Sequence, residues 1–208
     1  MVKKSSIKRE LTLERTWPYI LSIGGLIGFV AAFVLTIEKF ALLKNPSYNP
    51  SCNLSPLLSC GSVMKTEQAS AFGFANSLVG LAGFAVVTTI GMMLLAGVDA
   101  GKIKRWFWLG LQAGTIFGVG FITWLQYQSI FTIGALCPYC MVVWVVTIPI
   151  FVYTTLYNLR TGVIATPATL KRPVAFLQRH HGDILILWFG IIILVILNHF
   201  WYYWKTLI

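Results

Sequence analysis

Five stretches of this 208-residue chain contain no Asp, Glu, Lys or Arg. Each is long enough to cross ~30 Å of hydrocarbon as a helix, which takes ~20 residues. They cover residues 18–37, 75–98, 106–130, 135–157 and 184–204. The first is too long for a cleavable signal peptide and lacks a small-residue cleavage site before the next polar segment. The pattern predicts an all-α fold: one integral membrane helical bundle over residues 1–208, with residues 38–74 as a long loop and no soluble domain at either end. Gly24, Gly25 and Gly28, and the evenly spaced Gly110, Gly114 and Gly118, suit close helix–helix approach.

Composition points the same way. Apolar residues make up 57% of the chain and charged residues 11%, whereas a soluble domain carries roughly a quarter charged residues. The net charge of +10 is distributed by segment. Lys3, Lys4, Lys8, Arg9 and Arg15 precede the first span; Lys102, Lys104 and Arg105 separate the second from the third. Arg160, Lys171, Arg172 and Arg179 separate the fourth from the fifth. These alternate segments hold most of the basic residues and are expected to be cytoplasmic. The N-terminus is then inside and the C-terminus outside. The charge reads as topology and contact with anionic lipid, and it does not indicate nucleic acid.

That orientation puts all four cysteines on the outer face, where disulfides form and persist. Cys52 and Cys60 lie in the loop between spans one and two, and Cys137 and Cys140 open span four. In "CPYC", Pro138 suits the first helical position because its missing N–H has no partner there. Cys137 is then the N-cap and Cys140 lies one turn in, where the helix terminus favours a thiolate. A bridge between them would open readily. The dithiol faces water on one side and hydrocarbon on the other. In the loop, Ser55 is expected to cap a short helix starting at Pro56 and ending at Gly61, with Cys60 on it and Cys52 on a mobile approach. Val63, Met64, Phe72 and Phe74 would lean on the membrane surface. The eight residues from Cys52 to Cys60 reach ~26 Å fully extended.

Redox chemistry, two structural disulfides and a tetrathiolate zinc site all remain open on these residues alone. A thiolate-based heavy-metal transporter is the rival function. It would continue its path through polar or ionisable residues within the spans, which offer only Asn76, Gln112, Gln126, Gln128, Asn198 and His199. His180 and His181 read as solvated residues of a basic segment. His199 within "NHFWYYW", and Trp106, Phe107 and Trp108, read as interfacial aromatic belts.

A spaced loop pair followed by "GSVMKT", then "NSLVG" entering span two, then CxxC heading span four, resembles the vitamin K epoxide reductase family, most closely its bacterial five-span members. The likeness runs from Cys52 to about Trp144, and the order of the cysteine pairs is its most specific part. The resemblance implies a four-helix core around a quinone site plus a fifth transmembrane helix. It implies catalytic cysteines at Cys52, Cys60, Cys137 and Cys140, with Cys140 nearest the quinone and Cys60 reaching Cys137. Thr66 falls where the family has a hydroxyl close to the site, and Asn76 where it has an amide that hydrogen-bonds the quinone carbonyl. Trp144 stands where the animal enzymes have a tyrosine. The implied activity is a membrane thiol–quinone oxidoreductase supporting disulfide bond formation, using menaquinone, ubiquinone or a vitamin K-type quinone from the membrane pool. Many bacterial members carry a fused thioredoxin-like domain. This chain ends without one, so its expected partner is a separate thioredoxin-fold, DsbA-like protein. The expected location is a bacterial plasma membrane.

Overall fold

A computed structural model describes residues 15–165 and 171–205. Five of its helices are long and apolar enough to cross a membrane: α1 (Arg15–Lys44), α3 (Asn76–Leu95), α4 (Arg105–Ile133), α5 (Pro138–Arg160) and α7 (His181–His199). Between them lie the short α2 (Cys60–Met64), the amphipathic α6 (Lys171–Arg179) and a terminal turn, α8 (Trp201–Trp204). The described residues form no strand, only an isolated parallel bridge between Leu58 and Leu136. The fold is an all-α membrane bundle. Lys3, Lys4, Lys8 and Arg9 lie outside the described residues.

α1 is the spine, packing on both α3 and α5, while α5 also packs on α4. Small residues set the closest crossing. A Cβ on Gly25 would lie 2.9 Å from the Thr88 backbone nitrogen, and one on Gly91 would lie 2.4 Å from that of Ser22. Backbone thus meets backbone between α1 and α3, as interfaces without a hydrophobic driving force require. Gly28 joins this contact against the Phe84 ring, whereas Gly24 faces Ile150 and Val146 of α5. Gly110 and Gly114, expected to do the same, meet nothing within 4 Å, and Gly118 makes only ordinary contact with Thr147. α3 and α4 barely touch each other.

The end of the bundle away from the cysteines is closed by aromatics. Trp17 stacks on Tyr157 with centroids 3.8 Å apart, and Trp108 packs against both. Trp108 is therefore inside the bundle, not in an interfacial belt; exposed Trp106 keeps that place. Buried amides pair with one another here, as polar groups in hydrocarbon must. Asn158 Nδ2 donates to Gln112 Oε1 at 3.0 Å, and Gln112 Nε2 to Thr155 Oγ1 at 2.9 Å. α7 is peripheral, seating Ile196 and the following Phe200 against α4 and α5.

α1 continues past the expected boundary at Ile37, through Glu38 and Lys39 to Lys44. Glu38 is buried, and its Oε1 accepts from the Ser51 hydroxyl at 2.6 Å and the Ser51 amide at 3.3 Å. Local pairing lets the helix carry two charged residues beyond its uncharged stretch.

Candidate active site

The site is built where the 45–75 loop folds onto the start of α5. The left-handed Gly134 (φ 69°) ends α4 and turns the chain towards Cys137. Residues 57–59 then run beside Leu136. Leu136 N donates to Leu57 O at 2.8 Å, and Ser59 N donates to Leu136 O at 2.9 Å. This pairing overrides the helix expected from Pro56. Ser55 Oγ does accept from Leu58 N, at 3.0 Å, but it closes only a turn. The helix starts later, at Cys60, with Ser59 as N-cap accepting from Ser62 N. Gly61, expected to end a helix, is near the start of this one, and its N–H donates to Asn53 Oδ1 at 2.9 Å.

Cys52 and Cys60 form a disulfide, with Cα atoms 5.6 Å apart. Cys137 and Cys140 are free thiols. Cys137 is the N-cap of α5 with Pro138 following, as the sequence predicts, and its sulfur accepts from Cys140 N at 3.4 Å. The backbone pairing on either side brings Cys60 Sγ and Cys137 Sγ to 3.2 Å. That is a distance from which exchange needs little motion. Hydrogen bonding from the Cys140 side chain, helped by the amides of Cys140 and Tyr139, holds the Cys137 thiol below its ordinary pKa, against the opposing effect of burial. A thiolate is the attacking species in exchange. Cys52, Cys60 and Cys137 are all buried, so the expected mobile approach is tied down in this state.

Beneath the loop lies a mostly apolar cavity of about 80 Å³ between α3 and α4, closed behind by α1 and α5. Cys140 and Trp144 reach it from α5, Asn76 and Ser77 from α3, Gln128 and Ser129 from α4, and Leu35 and Lys39 from α1. Val63 and Met64 roof it rather than resting on a membrane surface. Phe72 lies over Phe117 and Phe121 of α4, at centroid distances of 6.3 and 5.3 Å. Asn76 is held by the loop: its Nδ2 donates to Gln68 O at 2.6 Å and its Oδ1 accepts from Ala71 N at 3.0 Å. One of its N–H groups remains. The Trp144 indole N–H and the Gln128 amide have no partner among the described residues. Thr66 does not line the cavity; its hydroxyl donates to Val63 O at 2.8 Å. Lys39 Nζ donates to Met64 O. Lys39, Gln128 and Ser129 are cavity residues that sequence reasoning did not assign. The position of Gln128 at the end of a span, six residues before Gly134, is the signal that could have found it.

The family profile described as "Vitamin K epoxide reductase family" matches residues 19–155. The chain belongs to the vitamin K epoxide reductase family. The matched region takes in α1, the loop with its disulfide, α3, α4 and most of α5, and so contains every cysteine. No curated protein matches the chain. Vitamin K epoxide reductases are membrane oxidoreductases that work with quinones and thiol-redox partners. The cavity fits such a group. It places donors without partners at Trp144 and Gln128 and the free thiol of Cys140 around an apolar space, on the side where helices α3 and α4 leave a gap. Among the described residues, no three of His, Cys, Asp or Glu converge as a metal-ligand set.

Proposed function

We propose that the protein is a thiol–quinone oxidoreductase that reoxidises a thioredoxin-fold, DsbA-like partner and so supports disulfide bond formation. The observation that carries this reading is the 3.2 Å approach of Cys60 Sγ to Cys137 Sγ, with Cys140 next in line at the cavity.

The partner's dithiol is oxidised as it reduces the Cys52–Cys60 bridge. With Cys137–Cys140 oxidised, the Cys60 thiolate attacks Cys137 Sγ and Cys140 leaves as a thiolate. Cys52 then attacks Cys60, releasing Cys137 and restoring the loop bridge. The state described above, with the loop oxidised and the α5 pair reduced, is the product of that transfer. A bound menaquinone, ubiquinone or vitamin K-type quinone accepts two electrons and two protons. The chain's part is to hold Cys140 at the cavity, to close the Cys137–Cys140 bridge, and to offer hydrogen bonds from Asn76 and Trp144. Thr66 supports the cavity roof from behind. The positive-inside charge pattern favours a plasma membrane with all four cysteines on the outer face.

The deciding experiment gives purified protein a reduced DsbA-like protein and a water-soluble menaquinone analogue. Stoichiometric quinol and oxidised partner are expected, lost in Cys140→Ala. Partner oxidation that is insensitive to quinone and retained in Cys140→Ala refutes the reading.

A further inference from the structure

Lys39 is the one lysine or arginine among the described residues lining the cavity. Its ammonium reaches the roof, donating to the Met64 carbonyl, and pairs with no carboxylate among the described residues. Its neighbour Glu38 is engaged with Ser51. Lys65 and Glu67 of the loop are exposed, Tyr139 packs at the loop–α5 junction, and the titratable groups sharing the cavity are Cys137 and Cys140. The Lys39 side chain is partly buried and lines the cavity edge, where a ligand inside and water outside can both reach the ammonium. The Met64 carbonyl takes one of the ammonium's three donors, which leaves two for water or for a ligand in the cavity.

We propose that Lys39 is a catalytic cation of this cavity, supplying positive charge and a transferable proton where the cysteine pair reduces its quinone. The proposal rests on the thiol–quinone reading above, and the proton count supports it. Reduction of a quinone to a quinol consumes two electrons and two protons. The electrons leave as the Cys137–Cys140 bridge forms. Cys140, as the hydrogen-bond donor of the pair, brings one proton. Cys137, the N-cap whose sulfur accepts from Cys140 N at the start of α5, takes the thiolate role and brings none. The Lys39 ammonium provides the second proton and becomes an amine. Charge is conserved, since one cation and one thiolate become neutral. Lys39 is only partly buried, so water can restore its proton.

A merely structural Lys39 would hold the roof through Met64, and three variants separate the roles. Lys39→Gln keeps a hydrogen-bond donor, Lys39→Arg keeps the charge but holds its proton too tightly to give it, and Lys44→Gln is an exposed control with the same charge change. Three quantities are read: quinone reduction against pH, transfer of the bridge from α5 to the loop without quinone by alkylation mapping, and quinone binding by Trp fluorescence. In Lys39→Gln, quinone reduction is expected to fall on the order of 100-fold, as for loss of a general acid, while bridge transfer stays within threefold of wild type. The fall of the wild-type rate at alkaline pH should vanish in Lys39→Gln. Lys39→Arg should bind quinone as wild type does yet reduce it slowly. Bridge transfer and quinone reduction falling together in Lys39→Gln would overturn the proposal in favour of a tether. So would quinone reduction and its pH profile matching Lys44→Gln. A wild-type protein that reduces no quinone would overturn the underlying reading, and this proposal with it.

Discussion

Asn53 carries no chemistry, yet its hydrogen bonds brace the loop segment that sets Cys60 beside Cys137. Its Oδ1 accepts from Gly61 N at 2.9 Å and from Ser59 Oγ at 3.0 Å. These bonds hold a helix of five residues, far below the length at which helix is stable by itself. Asn53→Ala removes both acceptor contacts and leaves the Gly61 N–H without a partner at a helix start. At about 1 kcal/mol for each bond the loss is about 2 kcal/mol, or roughly 30-fold in the ratio of open to closed loop. Cys52 and Cys60 are buried in the closed state, so a soluble reductant meets the bridge only when the loop opens. If opening and closing are fast, the reduction rate follows the open population. The assay is reduction of the Cys52–Cys60 bridge by a soluble phosphine, followed by alkylation and peptide mapping. Asn53→Ala is expected to be reduced about 30-fold faster at an unchanged melting temperature, because the helical spans do not depend on the loop. Asn53→Asp, which keeps the acceptor, should stay near wild type. A rate for Asn53→Ala within twofold of wild type would show that the backbone pairing at Leu136 alone holds the loop, and would refute the reasoning.

Cys52→Ala removes the resolving thiol and is expected to accumulate a Cys60–Cys137 bridge with Cys140 free to alkylate; finding only Cys137–Cys140 with Cys60 alkylated would sink the assigned order. Asn76→Ala should weaken quinone use by on the order of 1–3 kcal/mol, as for a hydrogen bond strengthened in the transition state, while bridge exchange survives; unchanged turnover makes Asn76 a loop anchor only. Because the Cys137 thiol lies below its ordinary pKa, its attack on the loop bridge should quicken as pH rises and level off at lower pH than a free cysteine would. A plateau at or above the free-cysteine range would contradict the hydrogen-bonded thiolate. Gly91→Ala drives a Cβ into the Ser22 backbone and should destabilise the detergent-solubilised bundle by about 1–3 kcal/mol, in line with overpacking; an unchanged unfolding midpoint would mean α1 and α3 separate freely.

The five spans were legible because uncharged length is all a membrane requires of them. The cap at Cys137 was legible because Pro138 restricts local backbone. The pairing of residues 57–59 with Leu136 was not, since its partners are distant in sequence and its hydrogen bonds are made by backbone, which leaves no residue signature. Trp108 was misplaced for a related reason. A helix in lipid is apolar on every side, so periodicity does not say which face is inward, and an indole near basic residues suits belt and interior alike. Lys39 was hidden by its charge. A boundary drawn at the first ionisable residue stops at Ile37, although a long amphipathic side chain lets a helix run further. The resemblance led to Thr66, Asn76 and Trp144; the structure sets Asn76 and Trp144 at the cavity with Cys137 and Cys140, and leaves Thr66 off its lining with its hydroxyl on the Val63 carbonyl.

The gap between α3 and α4 opens the cavity sideways, under the Phe72 ring. A tailed ligand can slide in from the bilayer with its chain still among the lipid acyl groups. Its hydrocarbon then never passes through water, and desolvation contributes little to selection. What the protein senses is local abundance in the leaflet, so occupancy follows membrane partitioning and lipid composition rather than any concentration in the surrounding fluid. On the proposed function, reduced product would leave by the same slot, in two dimensions, without crossing the loop.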